Sequence, residues 1–447
     1  MIKSIYRRGA ETQRYFIFFT LLLVLSGLIS LADAKVYLDI NSPAPKKLPI
    51  AIPILHSVEG EAAKIASKIT EVIGNDLEIS GILNIIDKTI YPVDPLKAEL
   101  SPEVINFKPW IAIGAEALVK GKVSMEGRNI TVDARLYDVT TGKQLMASVY
   151  TKDSREPRKI AHKIADDIIA NLTGEKGVFN TRIAFVGNGT GNKEIYVMDL
   201  DGEGVEAVTR NGSINISPAW SPDGLAISYV SFKGGRPSVY IKDVGSGRVT
   251  KLPTPEGTSL GASWSPDGKR LALVISSGGN SDIYAINKDG SGLTRLTDNW
   301  GLDLSPSWSH DGKEIAFVSD RGGSPQIYIM ESSGGNVRRL TFEGKYNSSP
   351  AWSPKGDKIA FAGVSDGRFE IFIINPDGSG LMQLTSNAGN NETPAWSPDG
   401  RLLTFSSTRD GGSNIYIMGS GGTGQRRISS IKGKATNPNW GPRGKEK

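Results

Sequence analysis

The chain has 447 residues, a net charge of +5 spread over mixed signs, and no cysteine. That length has room for two or three domains. The missing cysteines exclude disulfides and thiolate chemistry, and the lack of a basic stripe interleaved with aromatics argues against nucleic-acid binding.

Residues 1–34 read as a secretory signal. Lys3, Arg7, Arg8 and Arg14 precede an apolar run over residues 15–31 and then Ala32-Asp33-Ala34, a small-x-small cleavage site. The short polar flank and the cleavage site favour removal over retention as a membrane anchor. No Cys precedes Val36 to carry a lipid. The chain is therefore expected to cross one membrane and be released.

Residues 35–175 form a separate α/β unit that opens with a polar, proline-flanked arm, residues 35–45. A strand is predicted over 49–55. A helix follows over 59–79, with Ile65, Ile69, Val72, Ile73 and Leu77 at helical spacing. A second strand covers 82–86, and a meander runs through 118–125, 129–139 and 144–151. A closing helix spans 155–172, with Gly174 as its stop. His162 sits beside the apolar side of that helix and is expected to be solvated. The boundary falls near 176–180.

From there to residue 447 a 44-residue unit recurs without insertion or deletion, marked by Trp220, Trp264, Trp308, Trp352, Trp396 and Trp440. Such a period means a solenoid, array or propeller. Each copy reads as four short strands: one ending at the Trp, a Ser-Pro-Asp-Gly turn, a second apolar strand such as Ile315-Ala316-Phe317-Val318, and a third with an aromatic (Tyr196, Tyr240, Tyr284, Tyr328, Phe372, Tyr416). The fourth is amphipathic. In the turn, Pro presets φ, Asp bonds its own backbone and Gly accepts positive φ. Strands two and three are apolar at nearly every position, as expected of sheets covered on both faces. The first copy lacks its Trp strand and the last consists only of one, so the two partial copies sum to one whole. The prediction is a six-bladed all-β propeller, closed when the C-terminal strand completes the blade begun by residues 181–210.

The sequence offers little chemistry. The three histidines, His56, His162 and His310, are scattered, and His310 replaces a turn proline, so it should be exposed. No Gly-x-Ser-x-Gly elbow is present. Asp223, Asp267, Asp311 and Asp399 are turn-formers, since Lys355 and Arg443 replace two of the set without breaking the period. Five residues before each Trp stand Asn215, Ser259, Asp303, Asn347, Asn391 and Ala435, with Glu392 adjacent. These positions are expected to ring one mouth of the channel. Asp303 and Glu392 could hold a Ca²⁺-like hard cation there; ordinary hydrogen-bonding loop residues are the alternative. Trp300, near the same mouth, is the best aromatic candidate for a contact hot spot.

The signal, the small α/β domain, the junction of residues 172–185 and copies such as Ser217-Pro218-Ala219-Trp220-Ser221-Pro222-Asp223-Gly224 together resemble the TolB family of the Tol–Pal envelope system, over the whole chain. The resemblance implies a non-enzymatic periplasmic adaptor, monomeric and peripheral to membranes through its partners. In that family the propeller binds the peptidoglycan-associated lipoprotein Pal, the N-terminal arm docks on TolA, and the assembly keeps the outer membrane attached during division. Carried onto this chain, the arm is Lys35, Val36, Tyr37, Leu38, Asp39 and Ile40, alternating as a strand able to join a partner's sheet edge. The Pal-facing loops would include Thr258, Ser259 and Gly261, and Leu302, Asp303 and Leu304. An enzyme of another class, a secreted propeller lyase or peptidase relative using the channel mouth, is the competing reading.

Overall fold

A computed structural model describes residues 47–94, 97–255 and 257–444. The expected secretory signal, residues 1–34, and the expected arm, residues 35–45, lie outside the described residues.

The α/β unit contains strands β1 (Leu48–Ala51), β2 (His56–Ser57), β3 (Leu83–Ile85), β4 (Ala117–Glu126), β5 (Asn129–Asp138) and β6 (Gln144–Asp153), and helices α1 (Glu61–Ile79), α2 (Lys108–Ala112) and α3 (Pro157–Thr173). The sheet order is β3-β1-β4-β5-β6, with β2 pairing β4; β1 runs parallel to β3 and β4, and β4-β5-β6 is the antiparallel meander. The first strand stops at Ala51, short of the predicted residue 55. Pro53 has no amide to offer a ladder, and Ile54 is exposed. Helices α1 and α3 pack together through Ile69, Ile73, Leu77, Ile164 and Ile168, all fully buried. Gly174 ends α3 in the left-handed conformation (φ 76°), its N–H donating to Ala170 O.

His162 is not solvated as its helical position suggested. It is buried and bonded to buried Asp76 of α1. The helical wheel of α3 considered alone left His162 at the edge of the apolar side; the partner helix and the propeller cover that edge.

Six four-stranded antiparallel sheets follow. Five are built in chain order, as in Asn215–Trp220, Ala226–Ser231, Ser238–Asp243 and Val249–Lys251. The sixth takes Ala435–Trp440 as its inner strand, beside Arg182–Gly187, Glu194–Asp199 and Glu206–Ala207, in the register Ala435↔Gly187 and Trp440↔Ile183. The six Trp strands contact one another in a closed ring around the axis. The six-bladed propeller and its closure by the last strand are as predicted.

Between blades, the core is apolar and repetitive. The third-strand aromatic stacks on a ring of the second strand in five blades, as in Phe185–Tyr196 at 5.7 Å and Phe361–Phe372 at 5.5 Å. Indole N–H groups stitch neighbouring blades: Trp264 donates to Ala219 O (3.2 Å), Trp308 to Ser263 O (3.1 Å) and Trp396 to Ala351 O (2.9 Å). Trp440 donates to Thr181 Oγ1 (2.8 Å), tying the closing strand to the domain junction. Every inner strand is interrupted three residues before its Trp by a left-handed residue: Ser217, Gly261, Ser305, Ser349, Thr393 and Asn437, with φ between 50° and 59°. A bulge there adds twist and bends each inner strand about the axis.

The turns confirm the role of the repeated aspartates. Ser221 Oγ donates to Asp223 Oδ1 (2.6 Å), which also accepts from Leu225 N (3.0 Å), and the pattern recurs at Asp267, Asp311 and Asp399. Where Lys355 interrupts the series, Asp357 takes the serine bond instead (2.9 Å).

Trp440 is buried at the seam and Trp220 is only half-buried, with its indole N–H lacking a hydrogen-bond partner. Trp440→Ala is therefore expected to cost about 3–5 kcal/mol in urea denaturation, and Trp220→Ala clearly less. Equal losses would show that the seam is no more critical than any other blade boundary.

Candidate functional site

The inner strands define two ends of the axial channel. Where they finish, a cavity of about 500 Å³ is bordered by the Trp strands and by the turn residues Pro222, Pro266, His310, Pro354, Pro398 and Pro442. His310 is exposed there, as expected. Where the strands start, the loops from each fourth strand arrive. The sequence placed the candidate site at this second end.

The six positions five residues before each Trp do not face the channel. Asn215, Ser259, Asp303, Asn347, Asn391 and Ala435 are all buried, and the polar ones are bonded within the chain. Asn215 Nδ2 donates to Glu194 Oε2 (2.8 Å), which also accepts from Thr209 Oγ1 (2.5 Å). The same triad recurs as Asn347–Gln326–Thr341 and Asn391–Glu370–Thr385. In each, an inner strand is latched to the third and fourth strands of the preceding blade. Ser259 bonds Thr254 Oγ1 (3.0 Å). These buried polar groups satisfy one another, so the expectation that they form an accessible polar ring is corrected.

Asp303 is likewise not available to a cation. Arg321 Nη2 reaches both of its oxygens (2.9 and 2.8 Å), and the guanidinium lies over Phe317 and Tyr328. Glu392 is half-buried, and burial raises its pKa. The pairing of Asp303 with Arg321 runs against a shared Ca²⁺ site.

The surface at this end is built by the neighbouring residues. Side chains alternate along a strand, so the residues six and four before each Trp point away from the blade interior. At the first of these positions stand Ile214, Thr258, Leu302, Tyr346, Asn390 and Lys434, with Ile214, Leu302 and Tyr346 each more than two-fifths exposed. The second holds Ile216, Leu260, Leu304, Ser348, Glu392 and Thr436, all half-buried. Gly261 is half-buried at the bulge. Trp300 is 73% exposed and Phe342 also 73%. The loop carrying Trp300 is braced: Leu302 N donates to Asp320 Oδ1 (2.7 Å), Gly301 N to Asn299 Oδ1 (3.0 Å) and Asn280 Nδ2 to Asn299 O (2.5 Å). Tyr346 meets Phe369 edge to face at 5.5 Å, and Arg339 lies over Phe342. The result is a pre-positioned aromatic and aliphatic rim. Sequence reasoning found Trp300 but missed Ile214, Phe342 and Tyr346; the bulge three residues before each Trp breaks the alternation, so counting back from the Trp does not place Ile214 and Tyr346 on the exposed face.

Residues 169–362 and 346–446 match the family model described as the TolB beta propeller domain, and residues 36–145 match that of the TolB amino-terminal domain. The chain belongs to the TolB family. Among TolB relatives, the "Tol-Pal system protein TolB" of Geobacter sulfurreducens is 42% identical over 214 residues, 46% of this chain and 48% of that protein. The protein of the same name from Desulfosudis oleivorans is 38% identical over 218 residues, 47% of this chain and 50% of that protein. The chain thus spans about half the length of the relatives it matches. The crystal structure of TolB from Acinetobacter baumannii superposes with a TM-score of 0.79 at 29% identity, covering 91% of this chain and 99% of that one.

The two kinds of rim position should separate by mutation. Asp303→Ala strands Arg321 and is expected to cost about 3 kcal/mol, the low end for a broken buried pair because the guanidinium keeps an exposed edge. Trp300→Ala should stay within about 0.5 kcal/mol of the parent. Chemical denaturation of both variants checks this; a strongly destabilising Trp300→Ala would make that side chain part of the fold.

Proposed function

We propose that this protein is a non-enzymatic adaptor of the Tol–Pal system, working in the periplasm. Its propeller rim docks the lipoprotein Pal, its N-terminal arm engages TolA, and the pair of contacts supports outer-membrane integrity during division. Membership of the TolB family motivates the reading, and the observation that carries it is the rim. Trp300, Leu302, Phe342 and Tyr346 expose apolar surface on braced loops at one end of a rigid ring. Exposed aromatics held in place offer contact area at small ordering cost, which is the composition of binding hot spots. Thr258, Gly261, Leu304 and Glu392 border the same end, and the buried Asn215, Ser259, Asp303, Asn347 and Asn391 hold its shape. For the arm, the support is the alternation of Lys35, Val36, Tyr37, Leu38, Asp39 and Ile40 in sequence.

Binding of the purified mature chain to the peptidoglycan-binding domain of Pal tests the rim. Trp300→Ala and Phe342→Ala are each expected to weaken it about tenfold or more without shifting the melting temperature. No binding by the parent protein would sink the reading. Deleting residues 35–40 should abolish capture by TolA while leaving Pal binding intact. Turnover of an oligosaccharide or peptide, lost in Glu392→Ala, would instead support the enzyme reading.

A further inference from the structure

Where the α/β unit meets the propeller, the structure buries a group of ionisable side chains that the docking rim does not use. His162 on α3 places Nδ1 2.6 Å from Asp76 Oδ2 on α1, and both side chains are buried. The other oxygen, Asp76 Oδ1, is buried without a hydrogen-bond partner. The turn after the propeller strand Glu194–Asp199 brings Asp201 to the same place: a carboxylate oxygen of Asp76, a ring nitrogen of His162 and a carboxylate oxygen of Asp201 lie within 4.8 Å of one another. Arg158, one turn before His162, bonds both oxygens of Asp201, and its Nη2 lies 3.4 Å from His162 Nε2. That guanidinium supplies the positive charge between Asp201 and the imidazole, so the group is an ion-pair network. Asp199 is 3.8 Å from Arg158 Nε and also faces Arg182. On the other side Arg426, from the propeller strand Arg426–Arg427, reaches Asn75 Oδ1 (3.0 Å) and Glu78 (3.4 Å) on α1. Asp166 of α3 accepts the N–H groups of Phe179 (2.7 Å) and Asn180 (3.4 Å) at the junction. Lys163 on α3 pairs with Asp167, and Glu203 acts on Arg158 from the propeller turn.

We infer that the Asp76–His162 pair is a proton-operated clamp between the amino-terminal domain and the propeller. While the pair holds its protons, the negative turn at Asp201 sits against a carboxyl whose charge is cancelled. When the protons leave, a bare carboxylate with one unpartnered oxygen is held buried near the like charges of Asp201 and Asp166, and the junction loosens. This is independent of the rim and of any partner.

The direction follows from the surroundings. Burial pushes Asp76 up to about 7, with the His162 bond offsetting part of that rise. For His162, burial works against the charged ring, but the bond to Asp76 and the charges of Asp76 and Asp201 outweigh it and raise the pKa. Burial also pushes Asp166 up to about 6, against its two backbone bonds. All three groups bind protons more tightly in the closed junction than when opened to water. Closed-state stability therefore falls as pH rises, from the ordinary carboxylate range through about 7 for Asp76 and on through the raised value of His162.

Hydrogen–deuterium exchange on the intact chain at pH 5.5 and 8.5, corrected for intrinsic exchange, reads this directly. Amides of residues 179–180 and 199–203 should be about tenfold less protected at the higher pH, while blade residues 315–318 keep their protection. Asp76→Asn, neutral at every pH, should flatten the difference and leave the junction closed at pH 8.5. Unchanged protection in the parent, or an Asp76→Asn variant with the parent's pH dependence, overturns the proposal. Imidazole NMR of the parent gives a reading free of any folding defect. With three histidines in the chain, His162 is expected to titrate above the ordinary value of about 6.5; titration below it would equally overturn the clamp.

Discussion

The covering of both faces of every sheet is the condition on which this molecule depends. A strand apolar on both sides is stable only if a neighbour lies against each face. A row of such sheets always leaves two bare faces unless the row closes. Here closure is a single antiparallel pairing, Ala435–Trp440 on Arg182–Gly187. It gives the first and last blades the same environment as the others, and the aromatic stacks and indole bonds repeat around the ring because of it. The short Ser-Pro-Asp-Gly turns and inner-strand bulges adapt the backbone to that geometry rather than create it.

The sequence revealed this architecture because its constraint is periodic. A Trp every 44 residues, with two partial copies at the ends, carries both blade number and closure. The site was less legible for a reason rooted in the pleat. Adjacent residues of a strand point to opposite faces, so a position chosen one residue off lands in the interior. Asn215, Asn347 and Asn391 looked like a polar mouth and are latches between blades, whereas Ile214 and Tyr346, one place earlier, reach solvent. Phe342 and Trp300 lie in loops, where no period announces which side chains stay exposed. His162 was misjudged because its burial depends on α1 and on a propeller turn remote in sequence.

The two domains meet through charge as much as through apolar contact. Arg158 crosses to Asp201, Arg426 to Glu78 and Arg401 to Glu175. Close backbone approach reinforces them: a Cβ at Gly177 would lie 2.6 Å from Asp166 Cα, so the segment leaving α3 can fold back on it only as glycine. Interfaces of this kind respond to pH and ionic strength in a way that the apolar blade boundaries do not. The rigid ring and the electrostatic junction thus give one chain two parts of different character.

The closing strand also has a temporal meaning. The partner that completes the first sheet is made last, so ribosomal synthesis delivers five potential blades before the seam can form. Contacts spanning nearly the whole domain are slow to establish, and until they do, the faces of the first and last sheets remain open to wrong neighbours. A chain of this design gains from being kept unfolded until its final residues are free. Threading linearly through a membrane pore before folding on the far side would impose that order of events.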